Sequence, residues 1–494
     1  MQVIFSKAKD ETQTFSVDGV FFHSTYSPLK EAQRFIQNIT FAFTPDYIFF
    51  IEPGLNYYNS IIKEKFPNSK TICIRLFDQP LGDEATWDYC IKYSDIANFK
   101  AYLINNFGEE KLLSSTIIFS KPAEALFQNQ ISQIIGKYKL ALEDSKTLLV
   151  TRQFFEKKWL LNCCNFIKYT ANFSNIENRT SLPVVVCASG PSLEPCLKVL
   201  KVFVDKVFIV CLSSATSVLL QNNIIPDIIL STDGGWWAGE HLKLLKKNKA
   251  IPVAAPCEAF IPKTILKNNP IIPLKYNDSS SFVSSEILDQ SVIPFYSALR
   301  NPTVSGTALF FAQSITQNKI FFCGLDLQGG KGTQHTKPNE IEKDNSIKDS
   351  RIKNIETRIS YSRYNSDSLK IYREWFCELN DVENVYRVID TNQSALGKIK
   401  DITSKEFETM LSEEKTDFHK AQIFLQTQPS PNTKSTFEYI IQNLKTQKWQ
   451  KQIFPADYLS LNNCTDETQK QISQQRLNSK VEKLIAKIRK IADE

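Results

Sequence analysis

Residues 183–193 read Pro183-Val184-Val185-Val186-Cys187-Ala188-Ser189-Gly190-Pro191-Ser192-Leu193. The run of apolar and mostly β-branched side chains describes a strand buried on both faces, as in a parallel sheet. A Gly-Pro turn breaks it, and Leu197 to Val202 then has helical spacing. Such a turn puts bare N–H groups and a hydroxyl at a helix N-terminus, where phosphate is favoured. Proline in the first helical turn beside Ser192 also describes ordinary helix capping, so the motif alone leaves both roles open.

The pattern repeats outward from this point. Val207 to Cys211 is a strand with Ser213 in the turn after it, a helix runs through Leu220, and Ile228 to Ser231 is a strand ending at Asp233. Gly306 to Ile315 reads as a helix and Lys319 to Cys323 as a strand that runs out at Gly324-Leu325-Asp326. Three strand ends with polar or Gly-rich turns predict a ligand crevice at the carboxyl edge of a parallel sheet. Upstream, a helix over Pro28 to Ile39, strands at Tyr47–Ile51, Thr71–Ile74 and Ser115–Phe119, and a helix over Tyr57 to Phe66 compose a smaller α/β unit. A helical stretch from Phe127 to Tyr169 leads to an Asn- and Ser-rich passage that includes Asn172, Asn175 and Asn178. From about Glu406 the periodicity is helical, most clearly over Phe437 to Leu444 and Gln469 to Ile491. The expected organisation is an N-terminal α/β domain (1–170), a central Rossmann-like domain (171–405) and a C-terminal helical domain (406–494).

The length of 494 residues fits about three domains, and 42% hydrophobic with 23% charged residues is ordinary for a globular chain. A net charge of +6 without an Arg-rich, aromatic-laced run does not point to nucleic acid. The eleven cysteines show no Cys-x-x-Cys spacing, and several (Cys73, Cys187, Cys211, Cys323) lie inside apolar strands, which suits a reducing cytoplasm. Met1 to Lys7 lacks a signal-peptide pattern, and no apolar run approaches a bilayer span. A cytoplasmic protein without a membrane span is expected. The last helix sets Lys480, Lys483, Lys487, Arg489 and Lys490 opposite Val481, Leu484, Ile485 and Ile488, which describes a solvated basic face over a buried stripe.

The turn Ala188-Ser189-Gly190-Pro191-Ser192-Leu193, the Ile225-Pro226-Asp227 approach to Asp233, the Ser305-Gly306-Thr307 helix start and Gly324-Leu325-Asp326-Leu327 together resemble the motility accessory factor family. The stretches Gly332 to His335, Tyr372-Arg373-Glu374-Trp375, Asp390-Thr391-Asn392-Gln393 and the opening His23-Ser24-Thr25-Tyr26-Ser27-Pro28 extend the likeness over most of the chain. The resemblance implies transfer of a nonulosonic acid, such as pseudaminic or legionaminic acid, from a CMP donor to Ser or Thr of flagellin. The central domain also resembles bacterial sialyltransferases. That likeness assigns the nucleotide to Ser189 and Gly190 and to the helix start Ser305-Gly306; Pro191, Ser192, Ser213, Thr307 and Asp326 are added as further donor contacts. Two positions depart from it: Ser189 stands where those enzymes have Asn, and Gln328 where they have a tyrosine that steadies the leaving phosphate.

His335 and Asp233 are the candidate catalytic residues. An imidazole titrates near neutral pH and suits the general base that transfer to a hydroxyl requires. Asp233 and Asp326 end strands, where a carboxylate can hold ribose, acceptor or a Mg2+ ion, although Asp also caps helices and starts turns. No cofactor beyond the CMP-sugar is required by this pattern. Trp236 and Trp237 can stack on a base or pack internally. Lys331 to Arg351 is charged and aperiodic, as in a lid, and Lys331, Lys337 and Arg351 are its candidate phosphate contacts.

The principal rival is an ATP- and Mg2+-dependent pyrophosphokinase, since the central domain also resembles archaeal 6-hydroxymethylpterin diphosphokinases. A non-catalytic flagellin-binding protein is the third reading.

Overall fold

Every residue of the strand Val184–Cys187 is buried, and so is every residue of its two neighbours, Phe208–Leu212 and Ile320–Cys323. The computed structural model describes residues 2–41, 43–79, 81–96, 98–176, 179–276, 281–360, 366–391, 393–414, 433–462, 464 and 466–494. Met1, Asn178 and Asn392, named above, lie outside the described residues. The chain divides into two units, Met1–Phe154 with Ile453–Ser479 and Phe155–Gln452 with Lys480–Glu494. Helical segments after Ser404 fall in both. No described helix is long and apolar enough to cross a membrane.

The larger unit is built on a nine-stranded sheet in the order Tyr296–Ala298, Ile271–Tyr276, Val253–Pro256, Ile228–Leu230, Phe208–Leu212, Val184–Cys187, Ile320–Cys323, Val385–Val388, Lys400–Ile402. All its pairings are parallel. Apolar strands of this kind demand cover on both faces. Helix Val304–Ile315 supplies part of it, its buried Ala308, Leu309, Ala312 and Ile315 joining Val184, Val186 and Val210 in one core. The fold is the Rossmann-like α/β architecture expected from the sequence.

Strand order positions the site. From Val184–Cys187 the chain adds strands outward in one direction as far as Tyr296–Ala298, then returns to lay Ile320–Cys323 on the opposite flank. The switch point therefore falls between the loops at 188–192 and 324–328, where connections diverge and leave a crevice.

One outer strand carries a charge in the interior. Arg387 is fully buried, and its Nε and Nη2 bond both carboxylate oxygens of Asp401 on the neighbouring strand at 2.7 and 2.6 Å. This bidentate pair lets an arginine occupy a strand interior that an unpaired cation would not tolerate.

The smaller unit holds a four-stranded parallel sheet, Tyr89–Lys92, Lys70–Arg75, Tyr47–Ile51 and Ser115–Phe119, with an antiparallel meander over Val3–Lys7, Gln13–Val17 and Val20–Phe21. His23 is buried there; Leu55 N–H donates to its Nε2 at 2.9 Å, which leaves the proton on Nδ1. Burial, and then the neighbouring Arg75 charge, push its pKa down from 6.5 to about 3. Between those values the unfolded chain holds a proton that the folded chain refuses, so stability falls as pH drops from 6.5 toward 3. The expected slope is about 1.4 kcal/mol per pH unit. Urea unfolding at pH 7.5 and 5.0 should therefore show a larger loss for the native chain than for His23→Gln, and equal losses would refute the assignment.

Candidate active site

The turn after Val184–Cys187 is tied to the loop after Ile320–Cys323. Gly190 N–H donates to the Gly324 carbonyl at 2.9 Å, and Ser192 donates to Asp326 Oδ2 from both its backbone N (3.1 Å) and its Oγ (3.0 Å). Gln393, from the loop after Val385–Val388, donates to Asp326 Oδ1 at 2.8 Å. Both oxygens of Asp326 are thus engaged within the protein. A Cβ on Gly190 would lie 2.0 Å from Asp326 Oδ2 and 2.6 Å from the Gly324 oxygen. Glycine is required here by the contact between two loops, a reason that the sequence does not reveal.

On the other flank the turn meets the lid. Ser214 Oγ donates to Ser189 Oγ at 2.9 Å, and Ser189 Oγ lies 2.8 Å from His335 Nδ1. Thr336 fixes the same backbone, its N–H donating to the Ser189 carbonyl and its hydroxyl to the Gly190 carbonyl, each at 2.7 Å. Glu342 Oε1 accepts from the Gln334 and His335 N–H groups at 2.7 and 3.0 Å, while Arg358 holds its other oxygen at 2.7 Å. Burial, and then the adjacent His241 charge, lower the His335 pKa to about 4. The imidazole is neutral at pH 7, the form a base needs, but burial makes it titrate below the near-neutral range expected of it from the sequence. His241 pairs with Glu340 at 3.3 Å, and Ser217 donates to the same carboxylate at 2.7 Å.

The lid is more ordered than its composition suggests. Gly330–Lys331 pairs antiparallel with Ile359–Ser360, and Glu340–Lys348 is a helix. That helix has no apolar stripe. Asn339 caps it by accepting from Ile341 N (2.9 Å) and Glu342 N (3.4 Å), and Glu340 and Glu342 occupy its first turn. Capping and dipole complementarity specify such a helix where hydrophobic periodicity is silent. Lys337 and Arg351 are exposed, and it is Arg358 that anchors the lid carboxylates Glu342 and Asp349.

The remaining candidates spread along the same edge. Asp233 is exposed and its Oδ1 accepts from Gly235 N at 2.8 Å, starting the helix Trp236–His241. Ser305, Gly306 and Thr307 are buried in the first turn of Val304–Ile315, where Thr303 caps and Gly306 faces Asn301 and Trp375. Ser213 is buried in its turn, but the next residue, Ser214, reaches Ser189. Trp236 is 56% exposed and packs edge-on against Trp237, 4.8 Å between centroids. Among the described residues no three His, Cys, Asp or Glu gather as metal ligands. The Asp326 oxygens are bonded to Ser192 and Gln393, and Asp233 Oδ1 to Gly235.

A curated protein of Treponema pallidum (strain Nichols), described as an uncharacterized protein, is 31% identical over 310 residues, covering 62% of this chain and 67% of the relative. The chain belongs to that protein's family. The 6-hydroxymethylpterin diphosphokinase MptE-like family matches residues 157–332. Among solved structures, a Maf glycosyltransferase from Magnetospirillum magneticum AMB-1 superposes with a TM-score of 0.57 at 12% identity, covering 100% of this chain and 92% of that one. The likeness to motility accessory factors read from the sequence thus extends to the fold of the entire chain, with an MptE-like match in its central part.

Proposed function

We propose that this member of the family is a cytoplasmic glycosyltransferase that moves a nonulosonic acid from a CMP donor to Ser or Thr of a protein such as flagellin. The observation that carries the reading is the 2.8 Å contact between Ser189 and a neutral His335 at the switch point of a Maf-like fold. The donor lies along the Ser189 and Gly190 backbone toward Ser213, Asp233 and the start of Val304–Ile315, where a helix N-terminus favours its anionic groups.

The tautomer follows from connectivity. For Nε2 to accept a proton, Nδ1 must carry one and donate to Ser189 Oγ, which also accepts from Ser214. The hydrogen of Ser189 is then directed at the ligand, where it can stabilise the departing phosphate. In the transfer itself, the acceptor oxygen bonds to the anomeric carbon as that carbon's bond to the CMP phosphate oxygen breaks. The hydroxyl proton passes to His335 Nε2, and CMP leaves with the electron pair. Ser189 orients the imidazole, while Glu342 and Thr336 hold the backbone at and beside His335.

Residues 157–332 also support the pyrophosphokinase alternative. Isothermal titration with CMP and with ATP, each with and without Mg2+, separates the two. Micromolar CMP binding that ignores Mg2+ is the expected result; Mg2+-dependent ATP binding with no response to CMP would replace the transferase with the kinase.

A further inference from the structure

The two flanks of the Gly190 turn differ in chemistry. Toward Phe208–Leu212 stand hydroxyls and an imidazole, those of Ser189, Ser214 and His335. Toward Val385–Val388 the turn opens on a cleft of about 210 Å³, bounded by the loops that follow strands Val184–Cys187, Ile320–Cys323 and Val385–Val388 and by Thr333 and Gln334 of the lid. Its described lining carries the carboxylates Asp326 and Asp390 and the amides Gln328, Gln334 and Gln393, with no Lys, Arg or His.

That chemistry disfavours the anionic donor, against the expectation from the sequence that Pro191, Ser192 and Asp326 contact it. A CMP-nonulosonate bears a phosphate and a carboxylate, and two carboxylates without a cation repel both. A neutral or basic ligand rich in N–H and O–H groups is attracted instead. Side-chain amides present a donor and an acceptor together, the complement of a peptide bond, and Pro191 and Pro195 add rigid apolar wall. A second observation points the same way: Gln393 Oε1 is buried without a hydrogen-bond partner among the described atoms, while its Nε2 is committed to Asp326. A buried acceptor of this kind calls for an incoming donor. A cleft of about 210 Å³ holds several waters, the scale of one side chain with its flanking amide.

We propose that this cleft binds the accepting polypeptide, holding a neutral or basic residue next to the Ser or Thr that receives the sugar. The inference rests on the transferase reading above. The lid supplies the link, because Gln334 lines the cleft while the next residue, His335, reaches Ser189 across the turn. Donor and acceptor then approach the imidazole from opposite flanks.

The test uses the full chain and three fluorescein-labelled peptides of about nine residues, in which a single Ser is flanked by Lys, Gln or Glu. Fluorescence anisotropy reads their affinities and titration reads that of CMP, for the native protein and for Thr391→Lys, a change at an exposed position of the cleft rim. The native protein is expected to bind the Lys peptide about tenfold more tightly than the Glu peptide, and Thr391→Lys to erase or invert that order. Equal affinities, binding of none of the peptides, or a fall in CMP affinity matching the fall for the Lys peptide would overturn the proposal. The last outcome would assign the cleft to the donor. Peptide preference is read without donor present, so a native protein that ranks the peptides as expected but ignores CMP retains this proposal and loses the transferase reading.

Discussion

His335→Asn should lower kcat by about two to four orders of magnitude, the range lost when a positioned base is removed, while weakening CMP binding far less. Asparagine fills similar space and can keep a bond to Ser189, so the lost element is the proton acceptor at Nε2. The pH profile gives an independent check. An imidazole whose pKa is lowered to about 4 stays deprotonated across the usual assay range. The base limb of kcat/KM should therefore fall only as pH drops through about 4, and a break near 6.5 would mean that His335 titrates as an ordinary exposed histidine. Equal turnover in the variant would remove His335 from the chemistry.

Gly190→Val should act on folding first. Its Cβ would collide with Asp326 Oδ2 at 2.0 Å and the Gly324 carbonyl oxygen at 2.6 Å, and the second of these is backbone. Overpacking of this kind costs about 3 kcal/mol or more because the loop must move as a unit. Combining it with Asp326→Ala should restore part of the stability, since one of the two clashes is a side chain. Denaturant unfolding by circular dichroism measures both. A variant that unfolds like the native chain yet loses CMP would show that the space beside Gly190 belongs to ligand and not to the Asp326 loop.

How legible these features were in the sequence depended on the kind of interaction. The strands Val184–Cys187, Phe208–Leu212 and Ile320–Cys323 stood out because a doubly covered strand is an unbroken apolar run. Val385–Val388 did not, because Arg387 interrupts it and becomes acceptable only beside Asp401 on the neighbouring strand, a partner that no local pattern announces. The turn at Ser189 and Gly190 and the lid histidine were visible as residue types next to strand ends. Their meeting was not, since it depends on Ser214 from the turn after Phe208–Leu212 and on Thr336 and Glu342 from the lid arriving at one place. The lid helix Glu340–Lys348 escaped for the opposite reason: a cap and two acidic residues define it, and neither leaves a periodic trace.

Thr336, one residue beyond His335, holds the Ser189 and Gly190 carbonyls through its N–H and its hydroxyl. On the proposed chemistry the base and the donor turn are therefore coupled through backbone, and whatever displaces the lid displaces both of them together.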